Sequence, residues 1–266
     1  ITREVVEADF RICLGNIEFH YFAGYSGGAK AIMPGVASYN AIQMNHRLMI
    51  QESSCAGRLE GNLLREDIEE AGNIVGIDYI VNVVLDEHKK IVYCTAGDVT
   101  EAHRDGCRYL DKMYRKVISS RADIVMVSQG GAPKDANLYQ VQKALDNAKH
   151  AVKKGGCIIL IGACQEGTGS KKFEEWLLEA DTPHSMIERI GEHFELGGHK
   201  AVAIGMILEN AQIDLVSEMP EAFVRHIFMN PQPSAQKALD EALEKYGENA
   251  KVLAMPYGGS TLPVVL

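Results

Sequence analysis

The residues best suited to chemistry in this chain lie between positions 20 and 46. His20 ends an apolar run, and His46 lies within a segment whose pattern predicts a helix. Between them, Lys30 follows the glycine pair Gly27 and Gly28. A histidine exchanges protons near neutral pH, a neutral lysine amine is a nucleophile, and an imidazole binds nickel, copper or zinc. The segment therefore offers a proton carrier, a nucleophile and a metal ligand.

Each of these residues also has an ordinary structural interpretation. Lys30 does not belong to a G-x-x-x-x-G-K-[ST] phosphate loop, because Ala29 and Ala31 interrupt the pattern. On the local pattern alone, a tight turn with a solvated lysine is favoured. His20 by itself is better explained as a half-buried histidine with one hydrogen bond. His46 has no H-x-x-x-H or cysteine partner nearby, so a core histidine is its default interpretation. As a metal ligand, it would need further ligands from a cofactor or from distant residues.

A second group of polar residues opens a helix predicted to begin near Leu138. Asn137 occupies the expected N-cap, and Tyr139, Gln140 and Lys143 lie in the first two turns. Gln140 and Lys143 share a face because they are three residues apart. A helix that starts after a strand and a Gly-Gly loop suits an anion such as a carboxylate. A polar helix face explains the same residues equally well.

Two other glycine-containing loops carry weaker signals. Residues 162–170 follow a predicted strand, but their glycine spacing differs from G-x-G-x-x-G and gives little support to nicotinamide binding. The run Gly197, Gly198, His199 and Lys200 opens another helix and could line the same cleft. Taken alone, that run is better explained as a helix start with solvated side chains.

The elements that must position these residues change character near residue 120. Before it, the patterns predict an α+β arrangement with a strand over 11–22, a loop over 24–35, a helix capped by Ser38, a helix over 63–71, a hairpin over 79–95 and a helix from Asp98 to about Ile118. After it, helices over 138–152, 173–178, 186–190, 201–209 and 234–246 alternate with strands over 122–128, 156–163, 213–217 and 251–255. Such alternation predicts a parallel, Rossmann-like sheet. We therefore expect an α/β protein with two portions, residues 1–119 and 120–266.

Composition narrows the classes of partner. The formal net charge is -9 and there is no long basic tract, so we do not expect nucleic acid or an anionic membrane as a partner. No apolar run reaches membrane-spanning length. The six cysteines form no C-x-x-C pair, which favours a reduced, cytoplasmic protein. Because the chain begins at Ile1 in mid-pattern, we expect a fragment of a longer protein.

In combination, these segments resemble the nickel-dependent lactate racemase family, whose enzymes carry a nickel-pincer nucleotide. The resemblance rests on residues 20–46, on residues 130–143 and on the order of the elements, and it covers essentially the whole chain. It implies a racemase or epimerase of a 2-hydroxy acid. It also implies that residues 1–119 are the remainder of a cofactor-binding N-terminal domain and that residues 120–266 are a Rossmann-like C-terminal domain.

The resemblance assigns a role to each residue of the first segment. It implies that Lys30 is joined to the cofactor through a thioamide, with Gly27 and Gly28 beside it in the cofactor-binding turn. His20 matches an acid/base histidine, and His46 matches the protein ligand of nickel. Sulfur and carbon donors from the cofactor and one imidazole would then suit square-planar Ni²⁺. We also expect that the cofactor can be absent from recombinant protein.

The resemblance further makes Tyr139, Gln140 and Lys143 contacts of the substrate. His199 falls where the family has a tryptophan in the substrate pocket, which implies a substrate larger or more polar than lactate. Ala29 stands where the family has arginine, which would loosen a cofactor contact or mark a subfamily.

The implied reaction is a reversible hydride shuttle. One histidine removes the hydroxyl proton of the 2-hydroxy acid while the α-hydrogen passes as hydride to the cofactor, which leaves a planar 2-keto acid. Hydride can return to either face, so a second acid/base group is needed on the opposite side. The family's second histidine has no match in these 266 residues, so we expect the chain to be inactive alone. The alternative functions are a nucleotide-dependent oxidoreductase and a non-enzymatic carboxylate-binding module. The sequence leaves open whether the protein forms a homo-oligomer.

Overall fold

The computed structural model of the protein describes residues 1–192 and 194–265. The chain separates into two compact units, Ile1–Arg115 and Lys116–Leu266. Helices accompany a parallel sheet of five strands in the described residues, which confirms the predicted α/β class in two portions. The predicted domain limits, 1–119 and 120–266, stay a prediction. Across residues 1–192 and 194–265, no helix is both long and apolar enough to cross a membrane.

The first unit is built from short helices and a small mixed sheet. Its elements are α1 (Arg3–Val6), β1 (Ile12–Asn16), β2 (Phe19–His20), β3 (Gly24–Tyr25), α2 (Tyr39–Arg47), α3 (Leu63–Val75), β4 (Tyr79–Leu85), β5 (Ile91–Gly97) and α4 (Val99–Tyr114). Two 3₁₀ turns, Gly28–Ala31 and Leu48–Ile50, lie before and after α2. In the sheet, β4 pairs in parallel with β1 and antiparallel with β5, which confirms the predicted hairpin.

Two helices of this unit, α2 and α4, begin at the side-chain caps that the sequence predicts. The Ser38 hydroxyl accepts a hydrogen bond from the Ala41 amide at the start of α2. The Asp98 carboxylate accepts two backbone hydrogen bonds at the start of α4. A polar cap stabilises a helix by about 1 kcal/mol because it satisfies amides that have no partner within the helix.

Two predicted boundaries in the first unit are wrong. Residues 11–22 form two strands rather than one, because β1 ends at Asn16 and β2 pairs with β3 in a separate antiparallel hairpin. The helix predicted to reach Ile118 ends at Tyr114, and β6 (Arg115–Ile118) follows. This strand pairs with a strand near the end of the chain, β12 (Leu262–Val265). The local sequence pattern cannot indicate a pairing between two strands so far apart in the chain.

The second unit is the predicted Rossmann-like portion. Its further elements are β7 (Ala122–Ser128), α5 (Leu138–Ala148), β8 (Val152–Ile161), α6 (Lys171–Leu178), α7 (Pro183–Glu192), α8 (Gly198–Leu208), β9 (Gln212–Val216), α9 (Glu221–His226), β10 (Asn230–Gln232), α10 (Ala235–Tyr246) and β11 (Val252–Met255). The helix predicted over 138–152 is too long, because Val152 already belongs to β8. The sequence missed β10, whose residues Asn-Pro-Gln lack the β-branched side chains typical of strands.

The order of strands in the parallel sheet is β10-β9-β8-β7-β11. Within this sheet, the strands follow one another outward from β7 through β8 and β9 to β10. The last strand, β11, then pairs with the other side of β7. The direction of winding therefore reverses between β7 and β11. In open α/β sheets, ligands bind at the carboxyl ends of the strands beside such a reversal.

Candidate functional site

The loop that carries Lys30 needs glycine for its shape. Gly27 and Gly28 have φ angles of 75° and 59°, in the left-handed region. The Gly28 amide donates a hydrogen bond of 2.8 Å to Asn82 Oδ1. A Cβ atom at position 28 would come within 2.9 Å of the His103 ring. The close packing and the positive φ angles together require glycine here and fix the start of the 3₁₀ turn that holds Lys30.

Buried side chains that the sequence did not single out anchor this loop. Arg65 of α3 is 1% exposed, and its Nη1 donates to the Tyr25 carbonyl oxygen at 3.2 Å. Its Nε pairs with Glu69 at 2.7 Å. His103 Nε2 donates to the Ser26 carbonyl oxygen at 2.8 Å, and burial lowers the pKa of His103 to about 3. The sequence signal for Arg65 was its position on the buried face of α3, because a charged residue there shares the face of Ile68 and Gly72.

Ala29, where the family resemblance leads one to expect arginine, lies against α3. It is 2% exposed, and a Cβ atom on Gly72 would come within 2.8 Å of the Ala29 Cβ. A side chain at position 29 therefore points toward the helix. Ala29 therefore lets the loop pack directly on α3 at Gly72.

The structure brings His20, Lys30 and His46 together around the buried ring of Phe22. The ring centroids of His20 and His46 lie 4.4 Å and 4.9 Å from that of Phe22. The Lys30 ammonium nitrogen is 5.9 Å from the same centroid. Three polar residues far apart in the sequence thus share one aromatic neighbour.

The surroundings of Lys30 and His46 favour their uncharged forms. Lys30 is half-buried, and burial together with the positive charge of Arg65 lowers its pKa to about 8. His46 is 6% exposed, and burial together with the charge of Lys30 lowers its pKa to about 4. A neutral amine is the nucleophilic form of lysine, and a neutral imidazole is the metal-binding form of histidine.

His20 is the last residue of the two-residue strand β2, which pairs antiparallel with β3. Its Nδ1 accepts a hydrogen bond of 3.3 Å from the Ala23 amide. A neutral imidazole that accepts at Nδ1 carries its proton on Nε2. In this arrangement Nε2–H can donate a hydrogen bond, and the ring must release the Ala23 amide before Nε2 can act as a base.

The polar start of α5 has the predicted cap. Asn137 Oδ1 accepts a hydrogen bond of 3.1 Å from the Gln140 amide. Tyr139 and Gln140 are half-buried, whereas Lys143 is exposed. The Tyr139 ring packs edge-on against Phe173 at 5.8 Å between centroids. The helix start therefore presents an exposed cation beside two partly covered polar side chains.

The first turn of α8 is buried, so its interpretation as a solvated helix start is wrong. His199 is 6% exposed, and its Nδ1 accepts a hydrogen bond of 3.0 Å from the Gly197 amide. Lys200 is 4% exposed and its ammonium nitrogen lies 5.1 Å from the centre of the Tyr139 ring. The same nitrogen donates to Gln142 Oε1 at 2.6 Å, and burial lowers its pKa to about 8. A lone cation in an otherwise apolar helix was the sequence signal for this residue.

Each of the two units contains a segment that matches a known family. Residues 1–57 match the lactate racemase N-terminal domain, and residues 117–263, more than half of the chain, match the lactate racemase C-terminal domain. The chain belongs to the lactate racemase family. The resemblance seen in the sequence is thereby confirmed.

Individual relatives agree with this family. The lactate racemase of Thermoanaerobacterium thermosaccharolyticum is 34% identical over 98% of this chain and 63% of that protein. The lactate racemase of Lactiplantibacillus plantarum is 33% identical over 97% of this chain and 62% of that protein. This chain therefore spans less than two thirds of the length of both curated relatives.

Solved structures show the same fold. The lactate racemase apoprotein of T. thermosaccharolyticum superposes with a TM-score of 0.93 at 32% identity, covering 99% of this chain and 64% of that one. A protein from Thermotoga maritima superposes with a TM-score of 0.72 at 17% identity, covering 99% of this chain and 69% of that one. The second likeness concerns the fold alone.

His46 and Lys30 have the chemical forms that a metal-bearing cofactor would need. His46 is a buried imidazole in its neutral form, which can give one ligand to a metal ion, and a half-buried amine lies beside the same Phe22 ring. In residues 1–192 and 194–265, no group of three or more histidine, cysteine, aspartate or glutamate side chains is arranged to hold a metal ion.

Proposed function

We propose that this chain belongs to a racemase or epimerase of a 2-hydroxy acid such as lactate, and that it uses a nickel-pincer nucleotide joined to Lys30. The grouping of His20, Lys30 and His46 around Phe22 is the observation that supports this proposal most. The two relatives named lactate racemase support the substrate class. The activity is proposed for the whole protein.

Lys30 is the attachment point in this proposal. Its half-buried position and lowered pKa keep part of the amine neutral near pH 7, as covalent attachment through nitrogen requires. Gly27 and Gly28 shape the loop that holds Lys30 at the cofactor, through their positive φ angles and their close packing. His46 is the protein ligand to Ni²⁺. When bound, the cofactor supplies the acceptor and donor for the hydrogen at C2 of the substrate.

His20 moves the hydroxyl proton. When His20 acts as the base, its neutral ring takes the hydroxyl proton at Nε2; in the opposite direction the imidazolium gives its Nε2 proton to the alkoxide of the product and is left neutral. Nδ1 keeps a proton in both directions, so the ring must first give up the hydrogen bond that it accepts from the Ala23 amide. A second acid/base group is required on the opposite face of the substrate, because racemisation must serve both enantiomers.

The second unit contributes the residues that bind the substrate. Lys143 provides an exposed positive charge at the capped start of α5, where the helix dipole also favours an anion. The substrate carboxylate is the matching group. Tyr139, Gln140 and the buried His199 are the further contacts of the substrate in this proposal. We also propose a cytoplasmic protein, because the six cysteines among the described residues are free thiols.

Intact mass and nickel analysis of the protein, co-expressed with the enzymes that make the cofactor, tests this function. We expect added mass on the peptide that contains Lys30 and retained nickel. Lys30→Ala should carry no added mass, whereas His46→Ala should keep the added mass and lose nickel. Lys134→Ala removes an exposed lysine of the second unit and is the matched control.

Other results would favour the alternatives. An unmodified Lys30 with no retained nickel refutes the pincer assignment. A bound nucleotide on such a protein would indicate a nucleotide-dependent oxidoreductase. Carboxylate binding with neither nucleotide nor nickel would indicate a non-enzymatic binding module.

A further inference from the structure

Lys200 of α8 is a buried cation to which the proposed function gives no role. The other buried residues of this helix are small or apolar apart from His199. Lys200 is 4% exposed, so its ammonium group has given up most of its water. Burial of a charge costs free energy, and a methionine side chain of similar length would avoid that cost. What the ammonium group contacts therefore indicates its role.

A chain of hydrogen bonds on α5 holds this ammonium group in place. The Lys200 nitrogen donates to Gln142 Oε1 at 2.6 Å. Gln142 is fully buried, and its amide nitrogen donates in turn to the Asp146 carboxylate. The other oxygen of Asp146 accepts from Lys149 at 3.1 Å. Because Gln142 accepts at one end of its amide and donates at the other, the position of the Lys200 nitrogen is fixed relative to α5.

The ammonium group held in this way lies over the face of the Tyr139 ring. Its nitrogen is 5.1 Å from the ring centroid, within the range in which a cation is attracted to an aromatic face. This attraction is stronger where water is excluded, as it is around the buried Lys200. The Phe173 ring packs against Tyr139 at 5.8 Å between centroids, with the two planes 85° apart. Two contacts, one from α8 and one from α6, thus fix the direction of the Tyr139 ring.

We propose that Lys200 is a positioning residue, which holds the Tyr139 side chain in the direction in which it contacts the substrate. This role rests on the proposed function, in which Tyr139 binds the substrate. Lys200 acts through the ring and does not have to reach the substrate, and all residues involved lie in the second unit. A side chain that is already fixed loses less freedom on binding than a mobile one, so it binds and orients a substrate better.

The charge of Lys200 can be removed by pH as well as by mutation. Burial lowers the pKa of Lys200 to about 8, and the charges that act on it come from α5. Asp146 favours the charged ammonium form, whereas Lys143 and Lys149 disfavour it. The cation over the Tyr139 ring is therefore present at pH 7 and is lost as the pH rises through 8. The Tyr139 phenol loses its own proton at higher pH, because burial raises its pKa.

Carbon-13 NMR of the tyrosine rings in the cofactor-free chain tests the contact. The Tyr139 resonance is the one missing from the spectrum of Tyr139→Leu. We expect it to move with a midpoint near pH 8 in the native chain and in Lys154→Met, which removes an exposed lysine of β8. The midpoint should be absent from Lys200→Met. A Tyr139 resonance that shows no such midpoint in the native chain would overturn the contact, and that measurement does not depend on the folding of Lys200→Met.

The activity of the whole protein, loaded with its cofactor, tests the positioning role. Lys200→Met should lower kcat/KM for lactate about ten-fold, the effect of losing one cation–π contact away from water. In a Tyr139→Leu background, Lys200→Met should have less than about a two-fold further effect, because the ring through which it acts is gone. A residue that only stabilises the fold would lower kcat/KM by the same factor in both backgrounds.

The outcomes separate this role from the proposed function. An unchanged kcat/KM in Lys200→Met, or an equal loss in both backgrounds, refutes the positioning role alone. Absence of racemase activity in the loaded native protein refutes the proposed function, and the positioning role with it. The NMR midpoint is measured without cofactor or substrate, so the contact between Lys200 and Tyr139 is decided in either case.

Discussion

Lys30 should titrate far below an ordinary lysine, and this can be measured without the cofactor. Burial and the charge of Arg65 lower its pKa from 10.5 to about 8. At pH 7, about a tenth of the Lys30 amines are then neutral, against about 0.03% for an ordinary lysine. The neutral fraction is therefore roughly 300-fold larger. Because Lys30 is half-buried, a reagent reaches it slowly at every pH. The midpoint of its labelling rate against pH, rather than the rate itself, is therefore the quantity to compare with other lysines.

The assay is pulse labelling of the cofactor-free protein with acetic anhydride from pH 6 to 10, followed by peptide mass spectrometry. Exposed lysines such as Lys134 and Lys171 serve as internal references in the same sample. We expect a midpoint near 8 for Lys30 and clearly higher midpoints for the references. A Lys30 midpoint equal to theirs would refute the reasoning from burial.

The variant Arg65→Met separates the two causes of the shift. Burial is the larger cause, so removal of the Arg65 charge should raise the Lys30 midpoint only part of the way toward 10.5. Glu69 keeps its bidentate pair with Arg104 in this variant, which limits the damage to the fold. An unchanged midpoint in a folded variant would show that the Arg65 charge does not act on Lys30. Arg104→Met, which removes a neighbouring cation of the same network, is the matched control.

Three further changes test other parts of the structure. Gly28→Ala should cost about 2 kcal/mol in urea unfolding, because its Cβ would meet the His103 ring and its φ is positive. The control Gly76→Ala, also at positive φ but with no described atom within 4 Å, should cost about 1 kcal/mol. Lys200 should contribute an unfolding free energy that grows between pH 8 and 10, since it is then neutral when folded and still protonated when unfolded. The difference in unfolding free energy between the native chain and Lys200→Met should therefore increase over this range; a difference that does not change with pH would contradict the assignment. Asn137→Ala should destabilise the protein by about 1 kcal/mol and weaken carboxylate binding in calorimetry.

Local signals in the sequence predict much of the framework. Ser38, Asp98 and Asn137 begin helices as predicted, because a cap depends on amides only two or three residues away. The strand over 122–128 is apolar on both faces and lies inside the sheet, as its composition indicates. Errors occur where a distant partner decides the conformation. Arg115–Ile118 leaves the helical pattern to pair with a strand far along the chain.

The chemistry of the candidate site is predicted less completely. The sequence singled out His20, Lys30 and His46 by residue type and spacing, but it favoured a solvated turn for Lys30 on local grounds. Their common contact with Phe22 comes from the hairpin of β2 and β3 and from the packing of α2. These arrangements bring together His20, Lys30 and His46, whose spacing in the sequence follows neither a helix nor a strand period.

The helix starts, most strands and the family can be predicted from the amino-acid sequence alone, because each depends on neighbouring positions or on recognisable segments. The environments of the site residues arise only on folding. The bond from Gly28 to Asn82 spans 54 positions and shapes the Lys30 loop. Burial lowers the pKa of Lys30, and the packing of α8 on α5 places Lys200 over the Tyr139 ring. Desolvation and long-range hydrogen bonds arise from contacts between distant segments, and so they exist only once the chain has folded.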